Sequence, residues 1–294
     1  MVAEKKQTQL YTSTLLNGNA ALDFIQDPIF LEQWIQLAKH CNSFTICQEP
    51  AFVLSWYACY RENFEPIVIY AIEKHKLVGL ICLAWHNEKA YLTHAGGEDA
   101  EYHGWLAKPS LEIRFLQDVF RHVKEAFSIS NWEWRWLPPN SADTFFKAIP
   151  TDLSYSYLEQ ESPIWNLLKT EKLKKLLKSK SFKVKKNRLK KRGDFYLETI
   201  TNKRRLNEIF PEIMAQHDFI KEINYNIRPY HQDKNRQVFF CELINQGIAQ
   251  MNVLWLNNTI VASHLGVGDN HRICLLYTSP SPRDQRGSRM PSSA

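Results

Sequence analysis

Two apolar hairpins set the frame for what this chain can become. Residues 66–73 read PIVIYAIE and residues 77–85 read LVGLICLAW, separated by the polar KHK. Near the other end, AQMNVLWL (249–256) and TIVASHLGV (259–267) meet across Asn257-Asn258. Runs this rich in β-branched and aliphatic residues, bounded by short polar turns, are strands, and turns this short join them antiparallel. Each hairpin is preceded by segments of helical period. An all-helical bundle is thereby excluded, and the expectation is an α/β (α+β) chain whose largely antiparallel sheets are flanked by helices.

Asp27-Pro28 reads as a helix start, with Phe30, Leu31, Trp34, Ile35, Leu37 and Ala38 periodic behind it, and Glu49-Pro50 opens a second helix. Residues 1–28 are polar and read as a loose segment. After a short strand at 90–94 comes the loop AGGEDAEYHGWLAKP, then a helix over 110–127. The run NWEWRWL (131–137) alternates Trp132, Trp134 and Trp136 with charged residues, the period of a strand with a buried aromatic face. A helix near 141–149 and a strand near 154–161 follow. Beyond Pro163 the pattern gives a short strand IWNLL, a basic helix ended by Gly193, a strand FYLETI and helices over 202–219 and 236–246 ahead of the second hairpin. The expected division is thus a first half over 29–162 and a second over 163–273.

The length allows two modest domains, and 44% hydrophobic with 13% aromatic residues suffices for packed cores. No apolar run approaches the roughly 18 residues of a membrane span, and the N-terminus lacks the apolar block of a secretory signal, which together point to the cytoplasm. Cys41, Cys47, Cys59, Cys82 and Cys241 show no metal-ligand spacing and read as reduced core thiols, so no metal is expected. The net charge of +6 conceals a concentration: Lys169–Arg192 holds thirteen Lys or Arg against the single acid Glu171. The remainder of the chain is acidic. Such a segment can grip nucleic acid, an anionic membrane surface or an anionic small molecule, or stand simply as a solvated face.

The run CLLYTSPSPRD from Cys274 and the closing SRMPSSA match what a transposase-library sequencing adapter gives when translated, with three residues of index between them. Residues 274–294 are therefore expected to be a non-native tail, set aside in reading the fold, that begins where the next strand of the second half should lie, with the native second half continuing differently beyond Ile273.

Taken in order, the PAFVLSWYACY helix, the first hairpin, the GGEDAEYHGWL loop, WEWRWLP, SPIWNL, the basic helix, the IMAQHD helix and the second hairpin resemble the tandem GNAT acyltransferases. The likeness is to the subgroup similar to cellulose-biosynthesis-associated acetyltransferases, and distantly to Fem-type aminoacyl transferases; it covers Phe30 to Ile273. It implies two GNAT-like halves, the second incomplete, in which a bulged strand offers backbone amides to the pantetheine arm and a helix N-terminus holds the pyrophosphate. The implied activity is N- or O-acyl transfer from acyl-CoA (acetyl-CoA) to a small-molecule, amino-sugar or polysaccharide-precursor acceptor.

By the same resemblance, Glu101 or His103 would act as base, Tyr102 would position the acceptor, and His217 in IMAQHD would be a second catalytic candidate. His264 would face the cleft. Lys183, Lys186 and Arg188 of the basic helix would draw in the CoA phosphates or an anionic substrate. The resemblance places the pyrophosphate loop beyond the second hairpin, so no residue is assigned to it, and a chain lacking that loop is expected to be inactive and destabilised, with Val253, Leu254, Ile260 and Leu265 uncovered. The alternative is a non-catalytic binding module that docks through 169–192 on nucleic acid or an anionic membrane. The sequence leaves the acyl donor, the acceptor and the oligomeric state open.

Overall fold

The computed structural model describes residues 11–127, 131–159 and 170–268, and the backbone of 273–279. It divides into two compact units. One comprises Met1–Asp152, Gln232–Ala249 and Gly266–Leu276; the other comprises Leu153–His231, Gln250–Leu265 and Tyr277–Ala294. The first break thus falls after Asp152 rather than near 162, and two later stretches, Gln232–Ala249 and Gly266–Leu276, belong to the first unit.

The first unit opens with β1 (Thr12–Asn17), α1 (Gly18–Ile25), α2 (Pro28–Lys39) and α3 (Pro50–Tyr60), followed by β2 (Phe64–Glu73), β3 (Lys76–His86) and β4 (Tyr91–His94). Residues 11–25 are thus not loose. β1 lies antiparallel along β2 from Thr12↔Ile72 to Asn17↔Ile67. Polarity misled here, because β1 is an edge strand only half-buried along its length. Asp27 caps α2 as expected, its Oδ1 accepting from Ile29 N (2.9 Å) and Phe30 N (3.0 Å), with Pro28 in the first turn.

The β2–β3 turn is tighter than KHK suggested. Lys74 and His75 alone form it, at φ 48° and 66°, the mirror-image turn that matches strand twist. The sheet order is β1-β2-β3-β4, with β5 (Leu106–Ala107) also on β3. Leu77–Ala84 is buried without alternation, so both faces of β3 are covered. Gly79 touches the Phe115 ring of α4 (Glu112–Ala126) on one face, and Gln33 of α2 accepts from Leu77 N (2.7 Å). A register shift at Ala71/Ile72 leaves Val78 extra on β3, and its carbonyl accepts from Lys108 N (2.9 Å). This bulge is therefore used in seating β5.

The Trp132–Trp136 run is not a strand. Only Trp132 bridges β4, in parallel, through Leu92 N to Asn131 O (3.1 Å) and Glu133 N to Leu92 O (2.9 Å). After that, His103 Nδ1 accepts from Arg135 N and His103 N donates to Trp136 O, each at 2.9 Å, so a loop takes the bonds a ladder would have used. The aromatic face is nonetheless core: Trp134 packs on Trp105 and Phe145, while Trp136 is exposed. The α5 helix spans Ala142–Ala148. The segment 154–159 is not a strand, and the expected IWNLL strand lies outside the described residues.

In the second unit the basic segment is two helices, α6 (Thr170–Lys178) and α7 (Lys180–Lys190). Ser179 breaks it, extended at φ −62° and ψ 148°, with its hydroxyl capping Phe182 N (3.2 Å). Serine competes well for that position, and lysines packed along one continuous helix repel. Gly193 follows at φ 148°, pressed against Asn257. Asn257 accepts from Asp194 N and donates to Arg192 O, both at 3.0 Å.

Then come β6 (Phe195–Ile200), α8 (Lys203–Tyr225), α9 (Pro229–Gln232), α10 (Asn235–Asn245), β7 (Ala249–Leu256), β8 (Thr259–Gly268) and β9 (Ile273–Ser279), with sheet order β6-β7-β8-β9. Val253, Ile260 and Leu265, expected to be uncovered, are buried, and Leu254 is half-buried. β9 includes residues read as adapter-derived, in the place where the next strand is expected: CLLYTS has strand composition and takes the open edge of the sheet. The rest of the expected tail lies outside the described residues. α10 belongs to the first unit because its Phe239 meets Phe52 of α3 edge to face at 5.2 Å.

Both sheets therefore follow one formula: a strand, three helices, then three further strands in sheet order. The architecture is mixed α/β with antiparallel sheets flanked by helices. Among the described residues no helix is long and apolar enough to cross a membrane.

Candidate functional site

The loop after β4 carries the densest chemistry of the first unit. Gly96 and Gly97 take φ 105° and 45°, where a Cβ on Gly96 would lie 2.6 Å from Ala100. Glycine is required there. This tight turn drives Asp99 inward, next to Arg236 and Asp233 at the start of α10 and Tyr60 at the end of α3. Arg236 Nε donates to Asp99 Oδ1 at 2.7 Å, and Tyr60 Oη lies 2.7 Å from Asp233 Oδ2 and 3.1 Å from Asp99 Oδ2. Asp233 Oδ1 also accepts from Asn235 N and Arg236 N.

Burial pushes the Asp99 carboxyl up to about 6 against the opposing pull of Arg236, and the neighbouring Asp233 charge adds to the rise. Burial and the adjacent Asp99 charge hold the Tyr60 hydroxyl well above its ordinary range. For Arg236, burial pulls downward, but the charges of Asp99 and Asp233 and the hydrogen bond to Asp99 outweigh it and the guanidinium stays protonated. The network ties the loop to two helices. Sequence reasoning missed it, since no local signal joins Asp99 to an arginine 137 positions away.

Glu101, Tyr102 and His103 follow directly. Gln48 holds the Tyr102 carbonyl through Nε2 (3.3 Å), its Oε1 being engaged by Thr45 N and Oγ1. Glu101 and Tyr102 are half-buried. His103 is wholly buried, and both ring nitrogens face backbone: Nδ1 accepts from Arg135 N and Nε2 lies 3.0 Å from Gly97 O. That pairing fixes the Nε2–H tautomer, and burial lowers its pKa to about 4. Expected as a base, His103 instead braces two loops, with no lone pair left for a substrate proton.

His94 stacks on His103 (4.5 Å, 26°) and meets Trp134 edge-on (4.2 Å). Burial drives His94 well below the usual histidine range, its His103 neighbour adding to this and the Gly104 carbonyl opposing. It borders a cavity of about 10 Å³ that Trp34, Gln48, Cys82 and Tyr102 also line. That volume admits a water molecule and nothing larger. The Cys47 and Cys82 thiols are pushed up by burial, to about 11 for Cys47, as core thiols are.

In the second unit His217 sits on α8, edge-on to Tyr230 (5.3 Å), its Nδ1 3.8 Å from the Asp218 carboxylate. Asp218 accepts from Tyr230 N (3.0 Å) and His231 N (2.8 Å), closing the turn after α8. His264 is half-buried on β8, between inward-facing Ser263 and Leu265, and burial lowers its pKa. Lys183, Lys186 and Arg188 are exposed on α7. The structure thus brings Glu101, Tyr102 and His103 together in the first unit and places His217, His264 and the basic residues in the second. Among the described residues no His, Cys, Asp and Glu are grouped to hold a metal ion.

The chain matches no protein-family model and no curated protein. Among solved structures it is similar to a conserved protein of unknown function from Bacteroides thetaiotaomicron, at 14% identity and a TM-score of 0.47, covering 84% of this chain and 77% of that one.

Proposed function

We propose that the chain is a tandem GNAT-type acyltransferase that moves an acyl group from acyl-CoA to an amine or hydroxyl of a small-molecule or polysaccharide-precursor acceptor. One observation carries this reading: a strand, three helices and a two-strand hairpin occur in that order twice, from β1 to β3 and from β6 to β8, each time with the three strands adjacent in sequence order. Twofold repetition is what the resemblance to tandem acyltransferases implies, and the two sheets share it without shared sequence. The acceptor atom attacks the thioester carbonyl, a C–N or C–O bond forms, the C–S bond breaks, and the CoA thiolate takes up a proton. Glu101 removes the acceptor's proton in this reading, with Tyr102 beside it as the positioning group, because His103 is committed to backbone. His217 remains the second candidate for proton transfer.

The test is calorimetric titration of the protein expressed from its full-length gene with acetyl-CoA, followed by thiol release in the presence of amine and amino-sugar acceptors. Saturable binding is expected, and Glu101→Gln is expected to lower kcat by about 10²–10⁴ with acetyl-CoA affinity unchanged. Absence of saturable binding to any acyl-CoA would sink the reading.

A further inference from the structure

Helices α6 and α7 contain no buried residue. On α6, Leu173, Leu176 and Leu177 fall within roughly 100° of helical arc, and Lys172, Lys174, Lys175 and Lys178 occupy the remainder. Leu176 and Leu177 are each 47% exposed. On α7, Phe182 and Leu189 stand two turns apart on one face, flanked by Lys185 and Lys186. The only acid of the pair, Glu171, is spent on Lys174 at 3.1 Å.

From this arrangement we infer that α6 and α7 lie on an anionic lipid surface, leucines and Phe182 entering the headgroup–acyl boundary and the lysines meeting lipid phosphates. The stripe of leucines decides between partners. A nucleic-acid backbone matches the lysines but offers nothing to three aligned aliphatic side chains, and the base-stacking aromatics of single-strand binders are reduced here to Phe182. An anionic bilayer matches both halves of the pattern at once. The inference is independent of acyl transfer, and a failure of either leaves the other standing.

Co-sedimentation of the full chain with phosphatidylcholine vesicles, with and without one-third phosphatidylglycerol, tests it. Binding is expected to the anionic vesicles alone and to be reversed by high salt. The triple variant Leu173→Ser, Leu176→Ser, Leu177→Ser is expected to bind roughly a hundredfold more weakly. Replacing Lys174 and Lys178 by Gln is expected to cost about fivefold per lysine. None of these side chains is buried, so an unchanged circular dichroism spectrum and thermal transition separate lost binding from lost fold. No sedimentation with anionic vesicles, or a triple variant that sediments like the parent, overturns the inference. Tight binding of RNA or duplex DNA without vesicle binding overturns it in favour of nucleic acid.

Discussion

Arg236→Met is the sharpest probe of the buried network that holds the GGED loop. In the native protein Asp99 titrates near 6, against 3.8 for an unperturbed aspartate. Between those values the folded state holds a proton that the unfolded state has released. The contribution of Asp99 to stability is therefore greatest when it is protonated, falls by about 1.4 kcal/mol per pH unit as pH rises from 3.8 towards 6, and is level above. The whole drop is about 3 kcal/mol. Arg236 is what lets Asp99 ionise at all, since the other groups facing it are Tyr60 and the like-charged Asp233. Without the guanidinium, Asp99 stays protonated well above 6, and its contribution keeps falling where that of the wild type has levelled. The stability difference between the two proteins should then widen by about 1.4 kcal/mol per unit above pH 6, or about 3 kcal/mol by pH 8. Below pH 6 it should be constant, reporting only lost packing and hydrogen bonds. Urea titrations in steps from about pH 5 to about pH 8 measure this directly. A difference that stays constant across the range refutes the argument, as does persistence of the slope in an Asp99→Asn, Arg236→Met double variant, which lacks the Asp99 carboxyl.

Two further outcomes follow from local geometry. Gly79→Ala puts a methyl 2.5 Å from the Phe115 ring, so α4 must shift off β3 at a cost of about 1–3 kcal/mol, seen as a lower urea midpoint with unchanged slope; wild-type stability in this variant would show that the ring is not fixed there. Asp27→Ala removes the cap of α2 and is expected to cost about 1 kcal/mol while Asp27→Asn costs much less, both read from thermal unfolding; equal losses would mean that charge rather than hydrogen bonding carries the effect.

Elements whose cause is local were legible in the sequence. The Asp27-Pro28 start, the two hairpins and the α4 stripe follow from turn chemistry and period, and the structure places them within a residue or two of the reading. Failures came where a distant group supplied the missing bond. NWEWRWL has the period of a strand, but the His103 ring competes for the Arg135 amide and ends the ladder after one bridge. Residues 11–25 lack the apolar density of a core element, yet an edge strand needs only a partner's backbone, which β2 provides. The basic segment has unbroken helical composition, and only the hydroxyl of Ser179 turned it into two helices.

The same distinction separates the two halves of the functional reading. The residue types of GGEDAEYHGW point to chemistry, but type does not say which side chain faces inward. Within eight positions the loop contains an aspartate buried against an arginine, a histidine consumed by two backbone groups, and a glutamate and tyrosine left half-buried. The two with the most perturbed protonation, Asp99 and His103, are the ones whose polar atoms are already spoken for inside the fold. A perturbed pKa thus marks structural commitment here rather than catalytic readiness. In the proposed acyl transfer the proton-transfer role is therefore given to Glu101 rather than to His103, whose ring is committed to backbone.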